Sequence, residues 1–557
     1  LELEVERVGQ AARSEDVQGG LRLSVGGALV GEQLEAWRAG RLARLSATLR
    51  PSDAFLNPGR PDEARRRALR GTPLLGSVKS ALLVDVLWPG GAQAEAAGET
   101  RRWVCREIDR EVGRYGVRPA AIVTAVLIGD RAGLDDETTP RLQESGIYQV
   151  IAIFGGNIAI LATCLLVVGR AGGVGPRVLA FAVIGLLGAY AFVVGREASV
   201  ARATTAAVLW LAGGLLDHRA AALGVLATTA VLVVLWSPLS VVDTGFLLTF
   251  GATLALVLSA ARMTVWVLDR LAPGDGLRRR WLRSPVAVLA ATVCAEAALL
   301  PVGVVFFYRA TFAGLGLNLL AIPLMTVVQL AGLATLVAAP LSGPLAGAAG
   351  FVAHLAAEGL VESARLVDWL PALVHRVPPP SPLTLVVYYV ALGGCLLPAL
   401  SRWRAEAGAA LVLAALVILR APVALSAPGP PTAPLRVTFL DVGQGDATLV
   451  QTADGWSMLV DAGGGQGRSP VIGERVLVPA LWALSVRRLD VAVVTHGGPD
   501  HAGGLGAVLR DVRPDEVWEG IPVPGHSLLT ELRERADAAS VRWRPVVAGH
   551  TWERGLL

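Results

Sequence analysis

Two histidines and a carboxylate fall within six residues of one another in VVTHGGPDHAGGL, the stretch from Val493 to Leu505. An apolar run leads into His496, and Asp500 and His501 follow beyond Gly497, Gly498 and Pro499. A strand that ends in HxxxDH lets side chains converge from a tight loop. Imidazole brings a borderline nitrogen ligand, the carboxylate a hard oxygen, and the glycines let backbone pack close to an ion. The chemistry open to His496, Asp500 and His501 is therefore divalent-metal binding, with Zn or Mn the ions to expect. Asp461 closes a second strand-like run, SMLVD, where it can orient the loop or a ligand histidine from behind. The competing reading is that His496 and Asp500 only cap a helix beginning near His501; VDAGG on its own strand upstream weighs against it.

The elements that must carry this loop are set in an unusual context. Of 557 residues 53% are hydrophobic and only 17% charged, and the mean hydropathy of +0.54 argues for a bilayer rather than water. Lys79 is the lone lysine, so nearly all cation is arginine. Cys105, Cys164, Cys294 and Cys395 are far apart and form no CxxC, so neither a zinc knuckle nor a disulfide framework is indicated. The chain begins at Leu1 with no initiator methionine or signal-peptide pattern, and we expect it to be a fragment of something longer.

Residues 1–90 alternate apolar and polar side chains in LELEVERVG, GGLRLSVGG and RLARLSATLR, the pattern of short half-buried strands in a small barrel or sandwich. Over 91–147 the period changes, and RRWVCREIDREVGRYG reads as an amphipathic connector helix with a solvated charged face. Residues 148–425 then hold ten apolar stretches of about bilayer length: Tyr148–Gly169, Val178–Val194, Val200–Leu216, Ala220–Trp236, Gly245–Leu268, Pro285–Phe307, Gly314–Ala339, Leu345–Leu360, Leu383–Leu400 and Gly408–Leu425. The arginine-rich loop from Asp269 to Ser284 is expected in the cytoplasm, as are RAGGVGPR and SRWR. By parity both flanking soluble domains are then expected outside. A proline-rich linker, 426–434, leads into the domain of 435–557, which is expected to continue beyond Leu557.

Several blocks resemble one family. A loop HxHxDH after a strand ending in aspartate is the mark of the metallo-β-lactamase fold, and LDVGQGDA (Leu440 to Ala447), LVDAGG and THGGPDHAGG are similar to the last domain of ComEC-type competence proteins. That family's loop reads HxDxDHxGG, so Gly498 stands where a ligand is expected. The block around IAIFGGNIAI resembles GxxHLLAISGLHI, with Gln149 and Asn157 at the histidine positions. Asp243, Gly245 and Phe246 match DxGFxLSF, Asn318 and Pro323 match NLxAxP, and Asn57-Pro58-Gly59 matches the end of an OB-like domain.

The resemblance implies a polytopic α-helical membrane protein with a small N-terminal OB-like β-barrel and a truncated C-terminal α/β metallo-β-lactamase-like domain. It implies an inner-membrane channel for single-stranded DNA in natural transformation, with both soluble domains extracytoplasmic. Asp446, Asp461, His496, Asp500 and His501 would then serve a metal-dependent nuclease acting on the strand that is not transported. Arg38, Arg41, Arg44, Arg50 and Arg60 are candidate phosphate contacts on the OB-like domain. Gln149, Asn157 and Asn318 are candidate pore residues, with packing between helices the competing role. Moving one negative charge inward against about −100 mV costs about 2.3 kcal/mol. GTPLLGSVKS is no P-loop, because Lys79 does not follow Gly76 directly. The expected partners are therefore a DNA receptor and a cytoplasmic translocase motor. Two other readings stay open: a DNA-guiding channel whose last domain is a degenerate binding module, and a small-solute transporter with a hydrolase fused on.

Overall fold

The computed structural model describes residues 2–10, 13–33, 36–51, 56–59, 63–69, 71–134, 142, 146, 154–195, 197–218, 221–274, 276–369, 373–397, 402–420, 433–464 and 472–553. Glu2–Gln10, Arg13–Val25, Leu74–Val78 and Thr48–Pro51 form a sheet in that spatial order, and Leu42–Leu45 pairs with Val84–Trp88 in a separate ribbon. The alternating side chains Leu21 and Leu23 of one strand meet Val78 and Val84, so the first domain closes over a small core.

Helices coincide with the apolar stretches: Phe154–Ala171, Pro176–Val194, Ala198–Leu215, Ala222–Trp236, Thr244–Leu271, Leu277–Phe307, Ala313–Ala338, Gly343–Ala364, Pro382–Leu396 and Arg404–Arg420. Among the described residues six of them, including Gly343–Ala364, are long and apolar enough to cross a membrane. The protein is a multi-pass membrane protein. Ala92–Ile108, continued by a π turn over Asp109–Gly113, and the apolar helix Val117–Ile128 precede these spans. They do not stand apart from the bundle: Val104, Ile108, Val112, Val123 and Leu127 share a core with Leu317, Met325, Val328, Ala353 and Leu360.

The last domain is a six-stranded mixed sheet. Leu435–Phe439, Thr448–Thr452 and Ser457–Val460 are antiparallel, and Val491–Val494, Glu516–Glu519 and Arg542–Pro545 extend it in parallel. Helices Val478–Ala483, Leu505–Asp511 and Ser527–Ala538 supply Leu481, Val508, Leu509, Leu529 and Leu532 to its core. Strands buried among helices read as nearly continuous apolar runs, as VAVV does.

Both soluble domains meet the same end of the helical domain. Tyr308, just past Leu277–Phe307, belongs to the core of the last domain, and its hydroxyl donates to the Gly59 carbonyl of the first. Beside it, Arg309–Thr311 pairs with Val374–Arg376, and Arg376 reaches Glu474 at 3.1 Å and Asp511 at 3.8 Å. The arginine-rich start of Leu277–Phe307 lies at the opposite end of that helix, about 46 Å away at 1.5 Å per residue. The two soluble domains therefore share one end of the helical domain, and the basic loop lies at the other.

Candidate metal centre

The central strand Val491–Val494 delivers Thr495 and His496 at its C-terminal end, and a one-turn helix, Pro499–Ala502, carries Asp500 and His501. One donor atom from each of His496, Asp500 and His501 lies within 4.8 Å of the others. Asp461, at the end of the neighbouring strand, is 4% exposed and adopts a left-handed φ of +58°. That conformation, which aspartate tolerates better than most residues, turns its carboxylate under the loop. It accepts from Thr495 N at 2.9 Å and from Thr495 Oγ1 at 2.8 Å, and bonds His501 Nδ1 at 2.8 Å. His501 Nε2 is thereby left facing Asp446 and Asp500, at 3.8 and 3.7 Å. This is the arrangement by which a carboxylate fixes the ring of a ligand histidine.

Glycines let three loops interlock around the donors. Asp446 N donates to the Asp500 carbonyl at 3.3 Å, Gly463 N to the Asp446 carbonyl at 2.8 Å, and Ala462 N to the His501 carbonyl at 2.7 Å. A Cβ on Gly445 would sit 2.1 Å from the Asp500 carbonyl oxygen, and one on Gly464 1.7 Å from that of Pro499. Both positions also have positive φ, so only glycine fits. Burial opposes a charge on the His501 ring, but the Asp461 hydrogen bond and the Asp461, Asp500 and Asp446 carboxylates outweigh it and raise its pKa. The same negative field draws a cation. Two imidazoles and a carboxylate, backed by Asp446 and Asp461, fit one divalent ion.

Gly498 is where the donor set thins. A Cβ there would lie 2.6 Å from Asp500 Oδ1 and 2.9 Å from His496 Nε2, so any side chain at this position starts among the ligands. His526, which the sequence leaves without a role, packs its ring against Gly497 and has a buried Nδ1 with no partner among the described residues. The exposed His550 is not in the cluster.

The remaining candidates are dispersed. Arg38 and Arg41 are committed to Glu95, with N–O distances of 2.7 and 2.6 Å, and hold the first domain on the 92–113 helix. Those two bonds and the Gly90 amide, led by Arg41, hold the Glu95 carboxyl down at about 2. Arg44 is exposed and 3.4 Å from Asp85, and Arg50 is exposed. Arg60 and Gln149 lie outside the described residues. Asn157 is 2% exposed; its Nδ2 donates to the Val126 carbonyl at 3.2 Å, and its own carbonyl accepts from Gln329 at 2.7 Å. Asn318 has a buried Oδ1 with no partner among the described residues, and its amide and the Glu296 carboxyl both border Gly314, whose absent Cβ would be 3.5 Å from one and 3.0 Å from the other.

Three features escaped the sequence reading. Glu296, the lone acid of Leu277–Phe307, had a signal, since an acid inside an apolar span is itself informative. Arg202, buried at 6%, donates to the Gly245 carbonyl at 3.2 Å and Thr249 Oγ1 at 3.1 Å, which gives the DTGF block a structural partner. Asn57 clips the first domain onto the loop that carries Asp446: its Nδ2 donates to the Asp441 carbonyl at 2.7 Å and its Oδ1 accepts from Asp441 N at 2.8 Å.

Comparison with known proteins agrees with this layout. Residues 126–402 match the competence protein family and residues 440–538 the metallo-beta-lactamase superfamily. "ComE operon protein 3" of Bacillus subtilis (strain 168) is 23% identical over 414 residues, covering 70% of this chain and 49% of that protein. "Competence protein ComA" of Neisseria gonorrhoeae is 28% identical over 494 residues, covering 85% of this chain and 64% of that protein. The chain thus spans about half to two thirds of the length of these relatives. No solved structure matches. With a competence domain in its helical bundle and a metallo-beta-lactamase domain docked on one end of it, the chain has the domain content of a ComEC-type competence protein.

Proposed function

We propose that the protein admits single-stranded DNA through the inner membrane during natural transformation, and that its last domain hydrolyses the strand left outside. The observation that carries this is the docking of a metal-ligating loop, with its Asp461–His501 support, on the end of the bundle opposite the basic loop. Arginine-rich loops stay in the cytoplasm, so the two soluble domains face the extracytoplasmic side, where incoming DNA arrives. His496, Asp500 and His501 hold the divalent ion, Zn or Mn. Such an ion, when bound, polarises a phosphoryl oxygen and acidifies water. Asp461 keeps His501 in one orientation through Nδ1, and Asp446 waits at the open edge of the site. GTPLLGSVKS is not a P-loop, and in this reading a cytoplasmic translocase draws the strand in and a DNA receptor delivers it.

Gly498 favours a second reading, in which the last domain binds DNA without cutting it. Full-length protein and its His501→Ala variant, assayed on single- and double-stranded DNA with Mn²⁺ or Zn²⁺ alongside metal content, separate the two. Metal-dependent cutting lost in the variant supports the nuclease. Stoichiometric DNA binding with no metal and no cutting supports the guide.

A further inference from the structure

Along the 92–113 helix and its C-cap, arginines recur at every fourth position: Arg102, Arg106, Arg110 and the cap Arg114, with Arg118 four residues on, beyond the turn. In an α-helix four residues rise about 6 Å, so the four rungs climb at most about 18 Å, the π turn over Asp109–Gly113 shortening the last step. Arg106, Arg110 and Arg114 are exposed, and Arg102 partly so. The opposite face carries Val104, Ile108 and Val112, at 4%, 0% and 0% exposure, buried against the spans Ala313–Ala338 and Gly343–Ala364. Gly347 and Gly350 of the latter admit Arg114 and Glu111 at close range, and Arg101 donates to the Val193 carbonyl at the end of Pro176–Val194. The helix is wedged among three of the membrane spans. Guanidinium groups do not face hydrocarbon there; they face protein or a water-filled cavity.

The rungs are held ready. Buried Glu111 reaches Arg110 at 3.5 Å and Arg114 at 2.9 Å from below, while Arg106 has no ion pair among the described residues. At the foot of the stripe Tyr115, Arg118, His354 and Glu358 line a pocket of about 450 Å³, where Tyr115 packs on Phe351 and His354 with centroids 5.1 and 5.5 Å apart. A basic track beside aromatic rings is the chemistry that holds a single-stranded nucleic acid. Anionic lipid headgroups, confined to the interface, do not match the length of a stripe that runs along the spans. Resting on the uptake reading above, the geometry points to a phosphodiester track: Arg102, Arg106, Arg110 and Arg114 line the aqueous path and bind successive phosphates of the strand in transit.

The test uses the full-length protein in membranes, with Cys105, Cys164, Cys294 and Cys395 replaced by alanine and Arg106→Cys introduced. An impermeant charged thiol reagent labels position 106, and a thymidine oligonucleotide protects it. Binding of that oligonucleotide is then titrated against salt. The double variant Arg106→Gln/Arg110→Gln lowers the slope of log K on log salt by about 1.4, since each single-strand phosphate contact contributes about 0.7. Arg106→Lys/Arg110→Lys restores it. A position 106 inert to the reagent, when an exposed control at Ala538→Cys reacts, overturns the track. So does an unchanged slope, or a lysine variant as weak as the glutamine one, which marks a packing role. A slope that changes only in vesicles containing anionic lipid assigns the stripe to headgroups instead. If the unmodified protein binds no oligonucleotide, the uptake reading itself falls and the track with it.

Discussion

Asn57→Ala should uncouple the first domain from the loop that leads to Asp446. In the native chain two hydrogen bonds, at 2.7 and 2.8 Å, join the Asn57 carboxamide to the backbone of Asp441 across 384 residues of sequence. A typical intramolecular hydrogen bond contributes about 0.5–1.5 kcal/mol net, so losing both weakens the docked loop by about 1–3 kcal/mol, a factor of roughly 5–150 in its opening equilibrium. Leu56 N still donates to Asp441 Oδ2 at 3.1 Å, and Tyr308 still holds Gly59, so the first domain stays in place. Amide hydrogen exchange in membrane-embedded protein reads this directly. Protection over residues 440–447 should fall by that factor while the helix Leu505–Asp511 keeps its own. Asn57→Asp should loosen the loop at least as much at neutral pH, because a carboxylate oxygen then faces the Asp441 carbonyl where an N–H donates now. Native protection at 440–447 in Asn57→Ala would refute the clip, and a uniform loss across the domain would show that the contact only supports global folding.

Other perturbations follow from the same geometry. Asp461→Asn should weaken metal binding by about 10–100-fold, the usual effect of removing the carboxylate behind a ligand histidine; titration with Mn²⁺ monitored by magnetic resonance checks it, and unchanged affinity would remove Asp461 from the site. Gly498→Asp adds a donor among His496 and Asp500, whose exposed side chains can give way; bound metal should rise, and a fall would mean that the space is needed empty. Burial works against the Glu474 charge, but Arg376 and Arg510 outweigh it and hold its pKa below the ordinary value. The stability it contributes is therefore present above about pH 4.3, the unfolded value, and lost as pH falls through the lower folded one. Thermal unfolding between about pH 5 and 3 should steepen in the native protein relative to Glu474→Gln. Asn157→Leu removes one bond to Val126, worth about 1 kcal/mol; the protein should still insert while uptake of labelled DNA falls, and normal transformation would take Asn157 off the pathway.

Much of this was legible in local sequence. The apolar stretches locate the helices because a bilayer demands length and composition, both of which are local properties. His496, Asp500 and His501 are close in space because they are close in sequence, on a strand end and a single helical turn. The alternation in LRLSV and the continuous run of VAVV likewise report burial one residue at a time.

Tertiary structure decided the rest, because polar pairing across the fold leaves no periodic trace. Nothing local says that Arg38 and Arg41 are spent on Glu95, that Asp461 meets His501 across 40 residues, or that Asn57 reads the backbone at Asp441. The 92–113 segment is the plainest case. Its amphipathic period is visible in sequence, but periodicity tells only that one face is buried and one is wet. That the burying partners are membrane spans is fixed by packing against Leu317, Val328 and Leu360 far along the chain.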